Sequence, residues 1–447
     1  MKVEQVVLEP KYHSAVEHWR RHNFKDYEIL LDQWEKYFPT DDRFCLCAKM
    51  ELGMPDTVQV GDNAGEKKRL EPRELTEDQA KHLLAIIRAQ ASTEFGSIQQ
   101  HSGTLMRAQE DDDRFWVMRV MAEELRHGYQ MLHLLLSKDW SKGSGGVKGE
   151  DMVEEILSMQ TGGHVLDAFN LEYDSFVDNV CFAAFVDRVG KYQLTMQKVC
   201  AYKPMADSMP QMLREEAFHF ATGVIPMRRM AQKAAKGDPL VSMTQMQHAV
   251  NKWFPRALEM FGDERGGDTN VKYGFKDMKN REAQDLYLEE VRKMLRDINA
   301  RFLRARFSEY TTEKVDEVLD EMERSRSTHR GVKFDELLRL PDRRFFRRKG
   351  EAAFGMVGID GETFADAESY LRYLAANLNE GYVASKDMRQ YADVLRKFAA
   401  GELTQKDAIM AMPKLKRVGG TCPCSNSVRW VVEETNGEQK TVMSRPA

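Results

Sequence analysis

Glu124-Leu125-Arg126-His127 and Glu216-Ala217-Phe218-His219 are the only Glu-x-x-His tetrads in this 447-residue chain. Each trails a lone carboxylate: Glu94 lies 30 residues before Glu124, and Asp187 lies 29 before Glu216. On a helix, residues i and i+3 share a face, so the Glu and His of one tetrad can reach the same point. Two such tetrads and two further carboxylates make the donor set of a carboxylate-bridged pair of metal ions inside a four-helix bundle.

The spacing carries its own geometric test. The midpoint between Glu94 and Glu124 is position 109, beside Glu110-Asp111-Asp112-Asp113, and that between Asp187 and Glu216 falls at Ala201 and Tyr202, just before Lys203-Pro204. Both sites suit a turn. In an antiparallel helical hairpin, residues equidistant from the turn sit at equal height, here roughly 22 Å from it at about 1.5 Å per residue. The two hairpins also repeat in register: Glu94 to Asp187 spans 93 residues, while Glu124 to Glu216 and His127 to His219 each span 92. Surface glutamates and packed core histidines would explain either tetrad alone, but not six positions in step. Phe115, Trp116, Met118, Val120, Met121, Leu125, Leu132 and Leu136 follow helical spacing around Glu124, which puts the charged groups in or beside a buried stripe. Carboxylates buried without a cation are costly.

The elements that must hold these donors are legible to different degrees. Residues 10–37 read as a first helix rich in Trp and Tyr, and the Pro-, Gly- and Asp-bearing stretch to about 74 reads as loop. Thr76-Glu77-Asp78-Gln79 has the form of a capping box and opens the helix that carries Glu94. The spacing predicts bundle helices over about 76–108, 111–138, 166–201 and 207–234. A long crossover begins at Lys142-Gly143-Ser144-Gly145-Gly146, with a short helix near Met152–Leu157. Pro226 should kink or interrupt the fourth helix. More helix is expected over 241–262 and 277–307. Val428–Val432, Asn436-Gly437 and Thr441–Met443 form a closing hairpin pattern. The expected fold class is all-α: a ferritin-like four-helix bundle with flanking helices and a small C-terminal hairpin. Its regions are an N-terminal extension over 1–74, the bundle with its following helices over 75–309, and a mostly helical C-terminal region over 310–447.

Composition narrows the function classes. A net charge of -5 argues against a nucleic-acid partner. No apolar run approaches the roughly 18 residues that span a membrane, and Met1-Lys2-Val3-Glu4-Gln5 does not open a signal peptide, so a cytoplasmic protein is expected. Six cysteines in so long a chain are not a disulfide framework. Cys45-Leu46-Cys47 and Cys422-Pro423-Cys424 lack the spacing of a zinc ribbon, and Cys181 and Cys200 read as packing. His18 and His22 read as a solvated face. The cluster Arg343, Arg344, Arg347, Arg348 and Lys349 reads first as a solvated charge run, and second as a phosphate-binding site.

Oxygen activation, metal storage and hydrolysis all suit six N and O donors around two metals, and such donors favour iron or manganese over a thiolate-seeking ion. Here a resemblance enters. The ligand order, the Glu-Glu-x-Arg-His form at Glu123–His127, the Glu-Glu-x-x-His form at Glu215–His219 and Asp187 in place of the commoner Glu resemble the aromatic acyl-CoA epoxidase group of bacterial di-iron oxygenases. The segment Trp253-Phe254-Pro255-Arg256-Ala257-Leu258-Glu259-Met260-Phe261-Gly262 is similar as well. The resemblance covers about residues 75–310.

It implies that Glu94, Glu124 and His127 serve one iron ion and Asp187, Glu216 and His219 the other, with Glu124 and Glu216 bridging. It nominates Glu123 and Glu215 as carboxylates that hydrogen-bond the ligand histidine of the opposite hairpin. It also implies an aromatic acyl-CoA substrate, benzoyl-CoA before phenylacetyl-CoA, whose ring is epoxidised by dioxygen. A separate NADPH-dependent flavin and iron–sulfur reductase would supply electrons, since the chain has no nucleotide-binding glycine motif and no cluster-binding cysteine set. Gln90, Ile98, Ala183, Gly190 and Lys191, each about a turn from a ligand, could line a cavity. A non-enzymatic storage bundle is the alternative from another class. A radical-generating reductase subunit is a third reading, but it needs a tyrosine beside the metals and none stands one turn from a ligand.

Overall fold

A computed structural model describes residues 2–262 and 267–341, short stretches between 393 and 411, and the strands at 429–435 and 438–444. The N-terminal region contributes β1 (Lys2–Val6), α1 (Pro10–Asn23), α2 (Tyr27–Asp32), α3 (Trp34–Tyr37) and β2 (Ala48–Leu52). The first hairpin is α4 (Glu77–Ser102) and α5 (Asp111–Leu136), and α6 (Gly149–Ser158) lies in the crossover. In the second hairpin α7 (Phe176–Phe182), a π-helical turn (Ala183–Asp187) and α8 (Arg188–Gln197) form one helix, which α9 (Lys203–Ala235) answers. Then come α10 (Met243–Met260), α11 (Asp268–Lys272), α12 (Asn280–Arg306) and α13 (Thr312–Ser325). The last strands, β3 (Arg429–Thr435) and β4 (Glu438–Ser444), pair antiparallel with Thr435 opposite Glu438. The fold is all-α in class.

Local chemistry explains where the bundle helices begin. Thr76 Oγ1 accepts from the Gln79 N–H and Gln79 Oε1 from that of Thr76, closing the capping box that opens α4. Asp111, Asp112 and Asp113 occupy the first turn of α5, where carboxylates complement the helix dipole. Lys233 pairs with Glu110 at 2.7 Å and Arg229 with Asp113, which sets α9 antiparallel to α5. Apolar residues from Leu8 to Leu338 form one continuous core, so the N-terminal region, the bundle and α13 share an interior.

Several elements depart from the expectation. The first helix is broken into α1, α2 and α3. The loop expected before 74 contains β2, which pairs antiparallel with β1 and lies against α5 and α9: the Lys49 N–H donates to Gln130 Oε1, and Gln130 Nε2 to Ser208 Oγ at 3.0 Å. The third helix begins at Phe176, not near 166, because Asp178 Oδ2 accepts from the N–H groups of Asp174 and Ser175 and fixes its start there. Pro226 does not interrupt α9. Buried Met227 and Met230 and the Arg228–Asp297 ion pair at 2.6 Å hold the helix to α12 just beyond the proline.

One very close helix contact lies at the π-helical turn. A β-carbon on Gly223 of α9 would fall 2.2 Å from the Ala184 nitrogen and 2.7 Å from the Val180 carbonyl oxygen, so only glycine lets the two backbones approach this far. That approach sets the turn that ends on Asp187. Gly223→Ala should therefore destabilise the chain by at least about 2 kcal/mol in urea unfolding; an unchanged midpoint would mean that the contact is slack.

Candidate metal centre

The four bundle helices bring Glu94 from α4, Glu124 and His127 from α5, Asp187 from the π-helical turn, and Glu216 and His219 from α9 into one buried cluster. His127 Nδ1 lies 3.8 Å from Glu94 Oε2, 3.7 Å from Glu124 Oε2 and 3.7 Å from Glu216 Oε1. His219 Nδ1 lies 3.5 Å from Glu124 Oε1 and 3.7 Å from Glu216 Oε2. Glu124 and Glu216 thus each present one oxygen to each histidine, and the two rings stand 5.3 Å apart. Asp187 faces them from one turn before Gly190, against which the Glu216 carboxylate packs, and it feels the charges of Glu124, His219, Glu216 and His127.

The other ring nitrogen of each histidine is tied across the hairpins. His127 Nε2 meets Glu215 Oε2 at 2.9 Å and His219 Nε2 meets Glu123 Oε2 at 3.1 Å. A carboxylate there takes the N–H, which leaves the Nδ1 lone pair of a neutral imidazole directed into the cluster. Each carboxylate is in turn held by an arginine. Arg119 Nε donates to Glu123 Oε1 at 3.0 Å, and Arg126 grips Glu215 with Nε and Nη2. Arg119 also pairs with Asp41 and lies over the Phe218 ring, while Arg126 lies over Phe44 and donates to the Cys45 carbonyl. The spacing of Arg119, one turn before Glu123, was a usable signal for the first of these.

The donors fit a metal pair. His127 Nδ1, His219 Nδ1, Asp187 Oδ2 and Glu216 Oε2 are all buried and have no hydrogen-bond partner among the described residues. Separations of 3.5–3.8 Å are too long for hydrogen bonds. They match two donors each about 2.1 Å from a shared cation, which lie roughly 3–4 Å apart. Glu124, His127 and His219 alone form a buried group able to hold one ion. Cys45 and Cys47 lie elsewhere, His18 and His22 are exposed, and Cys422, Cys424 and the Arg343–Lys349 cluster fall outside the described residues.

Electrostatics report the same demand for positive charge. Burial, reinforced by Glu124, pushes Glu94 well above the usual carboxylate range, and burial does the same to Asp187 and takes Glu216 to about 7. Burial would also raise Glu124, but the neighbouring Glu94 carboxyl and the two imidazoles facing it outweigh burial and hold that carboxyl low. Glu215 is held at about 2, because His127 and Arg126 overcome its burial. Burial alone would depress the histidines, yet the surrounding carboxylates hold both well above the ordinary imidazole value. Protons and a metal ion compete for these donors.

The residues proposed to line a cavity divide. Gln90 Oε1 and Ile98 are buried, and Ala183 sits in the π-helical turn. The space above Gly190 is taken by the Glu216 carboxylate, 3.0 Å from where a β-carbon would lie. Lys191 pairs with Glu290 on α12. Sequence spacing missed His101, seven residues past Glu94 and so on the same face of α4, and Tyr173 in the crossover, whose ring meets that of His101; both are buried. Tyr173 feels the charges of Asp187 and Glu124, and His101 those of Glu124 and His219.

Two measurements follow. In the metal-free chain, Glu216 keeps its proton to about pH 7 when folded but loses it near 4.5 when unfolded, so its contribution to stability falls as pH rises through that window. Glu94, Asp187 and the two histidines, all raised in the fold, act in the same direction. Thermal unfolding of metal-free protein should give a Tm at least about 2 °C higher at pH 5 than at pH 8, and the reverse order would contradict the assignment. Glu215→Ala should weaken metal binding about 10- to 100-fold in competition with a chelator, and undiminished affinity would remove Glu215 from the site.

A family model described as "Phenylacetic acid catabolic protein" matches residues 72–333, the stretch that holds all six donors and both cross-hairpin carboxylates. The chain is also 25% identical over 205 residues to "Benzoyl-CoA oxygenase component B" of Aromatoleum evansii, an alignment that covers 43% of each protein. It thus spans less than half the length of that relative. Because the family match takes in more than half of the sequence, the chain belongs to the phenylacetic acid catabolic protein family.

Proposed function

We propose that the chain is the metal-bearing component of an aromatic acyl-CoA epoxidase, acting on benzoyl-CoA with dioxygen as co-substrate. Glu94, Glu124 and His127 would hold one iron ion and Asp187, Glu216 and His219 the other, with Glu124 and Glu216 shared. The observation that carries this reading is the set of four partnerless donor atoms enclosed by carboxylates and imidazoles. The chemistry an iron pair would supply there is the delivery of two electrons to dioxygen, which with two protons would let one oxygen atom enter the aromatic ring and the other leave as water. The protein's part is to orient and to exclude water. Glu123 and Glu215 fix the histidine tautomers, Arg119 and Arg126 hold those carboxylates in place, and burial keeps solvent from the donors.

Electrons would come from a separate NADPH-dependent flavin and iron–sulfur reductase, a reading supported by the "component B" in the relative's name. The family description favours phenylacetyl-CoA as the second substrate to consider. A storage bundle, the reading from another class, needs no large apolar body behind its metals, and here α10, α12 and α13 pack into the same core as the bundle.

The test is an assay of iron-loaded protein with dioxygen, an electron donor and a panel of acyl-CoA thioesters. The expected product is about sixteen daltons heavier than an aromatic thioester, and Glu124→Ala or His219→Ala should lose both metal and turnover. Absence of that product with every aromatic thioester would refute the epoxidase reading. A variant with full iron and full rate would refute the ligand assignment.

A further inference from the structure

The crossover sets a tyrosine against His101, which lies two helical turns past Glu94 on the same face of α4. Tyr173, just before α7, is buried, and its hydroxyl has no hydrogen-bond partner among the described residues. Its ring meets His101 edge-on at 5.4 Å between centroids and Trp253 at 5.2 Å. Trp253 opens the segment noted in the sequence, and its indole N–H donates to Asp178 Oδ1 at 2.7 Å, which holds the aromatic cluster to α7.

His101 is the complementary group. Its Nδ1 faces Asn179 Oδ1, and the direction of that bond is set from the far side. The Asn179 amide donates to Thr104 Oγ1, whose own hydrogen goes to the His101 carbonyl at 3.3 Å. The amide therefore offers its oxygen to the ring, and Nδ1 carries the proton. Nε2 is left with a bare lone pair, and it too is buried without a partner. A donor lacking an acceptor thus stands in ring contact with an acceptor lacking a donor. At rest the proton belongs on the phenol, because burial raises Tyr173 well above the usual range and takes His101 down to about 4. Loss of an electron reverses this, since an oxidised phenol is a far stronger acid than an imidazolium.

We infer that Tyr173 is a redox-active phenol of this centre: one electron passes from it to the oxidised di-iron site, its hydroxyl proton moves to His101 Nε2, and a neutral tyrosyl radical remains. The iron site is reduced by one electron, Tyr173 is oxidised by one, and the proton stays in the pocket, so return of the electron restores both residues. Such a phenol drains an oxidising equivalent when dioxygen reacts with no acyl-CoA in place. The inference rests on the di-iron, oxygen-using reading above.

The test is freeze-quench electron paramagnetic resonance on reduced, iron-loaded protein mixed with dioxygen in the absence of acyl-CoA. An organic radical is expected, narrowed by ring-deuterated tyrosine, absent in Tyr173→Phe and about tenfold or more weaker in His101→Gln. Iron content should be unchanged in both variants, as neither residue is a ligand. Tyr173→Phe removes only a hydroxyl without a partner, so the fold should survive it. Iron-loaded protein that consumes dioxygen but gives no tyrosine signal, or Tyr173→Phe with the wild-type signal, would overturn this inference alone. Protein that binds no iron would overturn the proposed function with it.

Discussion

Four carboxylates packed beside two imidazoles in a buried helical interior repel one another unless positive charge sits among them, and much of the molecule is arranged around that constraint. Within the chain alone the repulsion is met by protonation: burial holds Glu94, Asp187 and Glu216 high, and the histidines hold protons in return. A cation relieves the same strain without protons. The donors face inward because each lies on the apolar stripe of its own helix, and two hairpins of matched length bring those stripes to one height.

The N-terminal region takes part in this arrangement as well as covering the bundle. Asp41 reaches Arg119, the Cys45 carbonyl reaches Arg126, and Lys49 lies 3.8 Å from Glu215. Both arginines also rest on aromatic rings, several of them from this region: Phe38 and Trp34 near Arg119, and Phe44 under Arg126. Segments before residue 50 therefore bear on the two histidines through one carboxylate and one guanidinium on each side.

The six candidate donors were legible because a helix converts spacing into direction, and the two cross-hairpin carboxylates because the family resemblance nominates them. A tetrad needs one turn, and a hairpin needs only two arms of equal length. What spacing could not reveal arises from tertiary contact. Nothing in Ala183-Ala184-Phe185-Val186-Asp187 announces a π-helical turn, which goes with the approach of Gly223 from α9. The strand Ala48–Leu52 is short and gains its meaning from β1, some forty residues earlier, and from Gln130. Pro226 was read by its local effect on a helix, but burial and an ion pair just beyond it carried α9 through. Tyr173 has no fixed offset from any ligand, since an irregular crossover brings it in.

Each histidine is braced by a carboxylate from the opposite hairpin, His127 by Glu215 and His219 by Glu123. Neither half of the internal repeat therefore owns a finished binding place. A lone hairpin would present an imidazole free to rotate and to choose either tautomer, so capture of the first ion already requires the mated pair. Despite their duplicated pattern, the halves are interdependent, and separate drift in either one is restrained by what it owes the other.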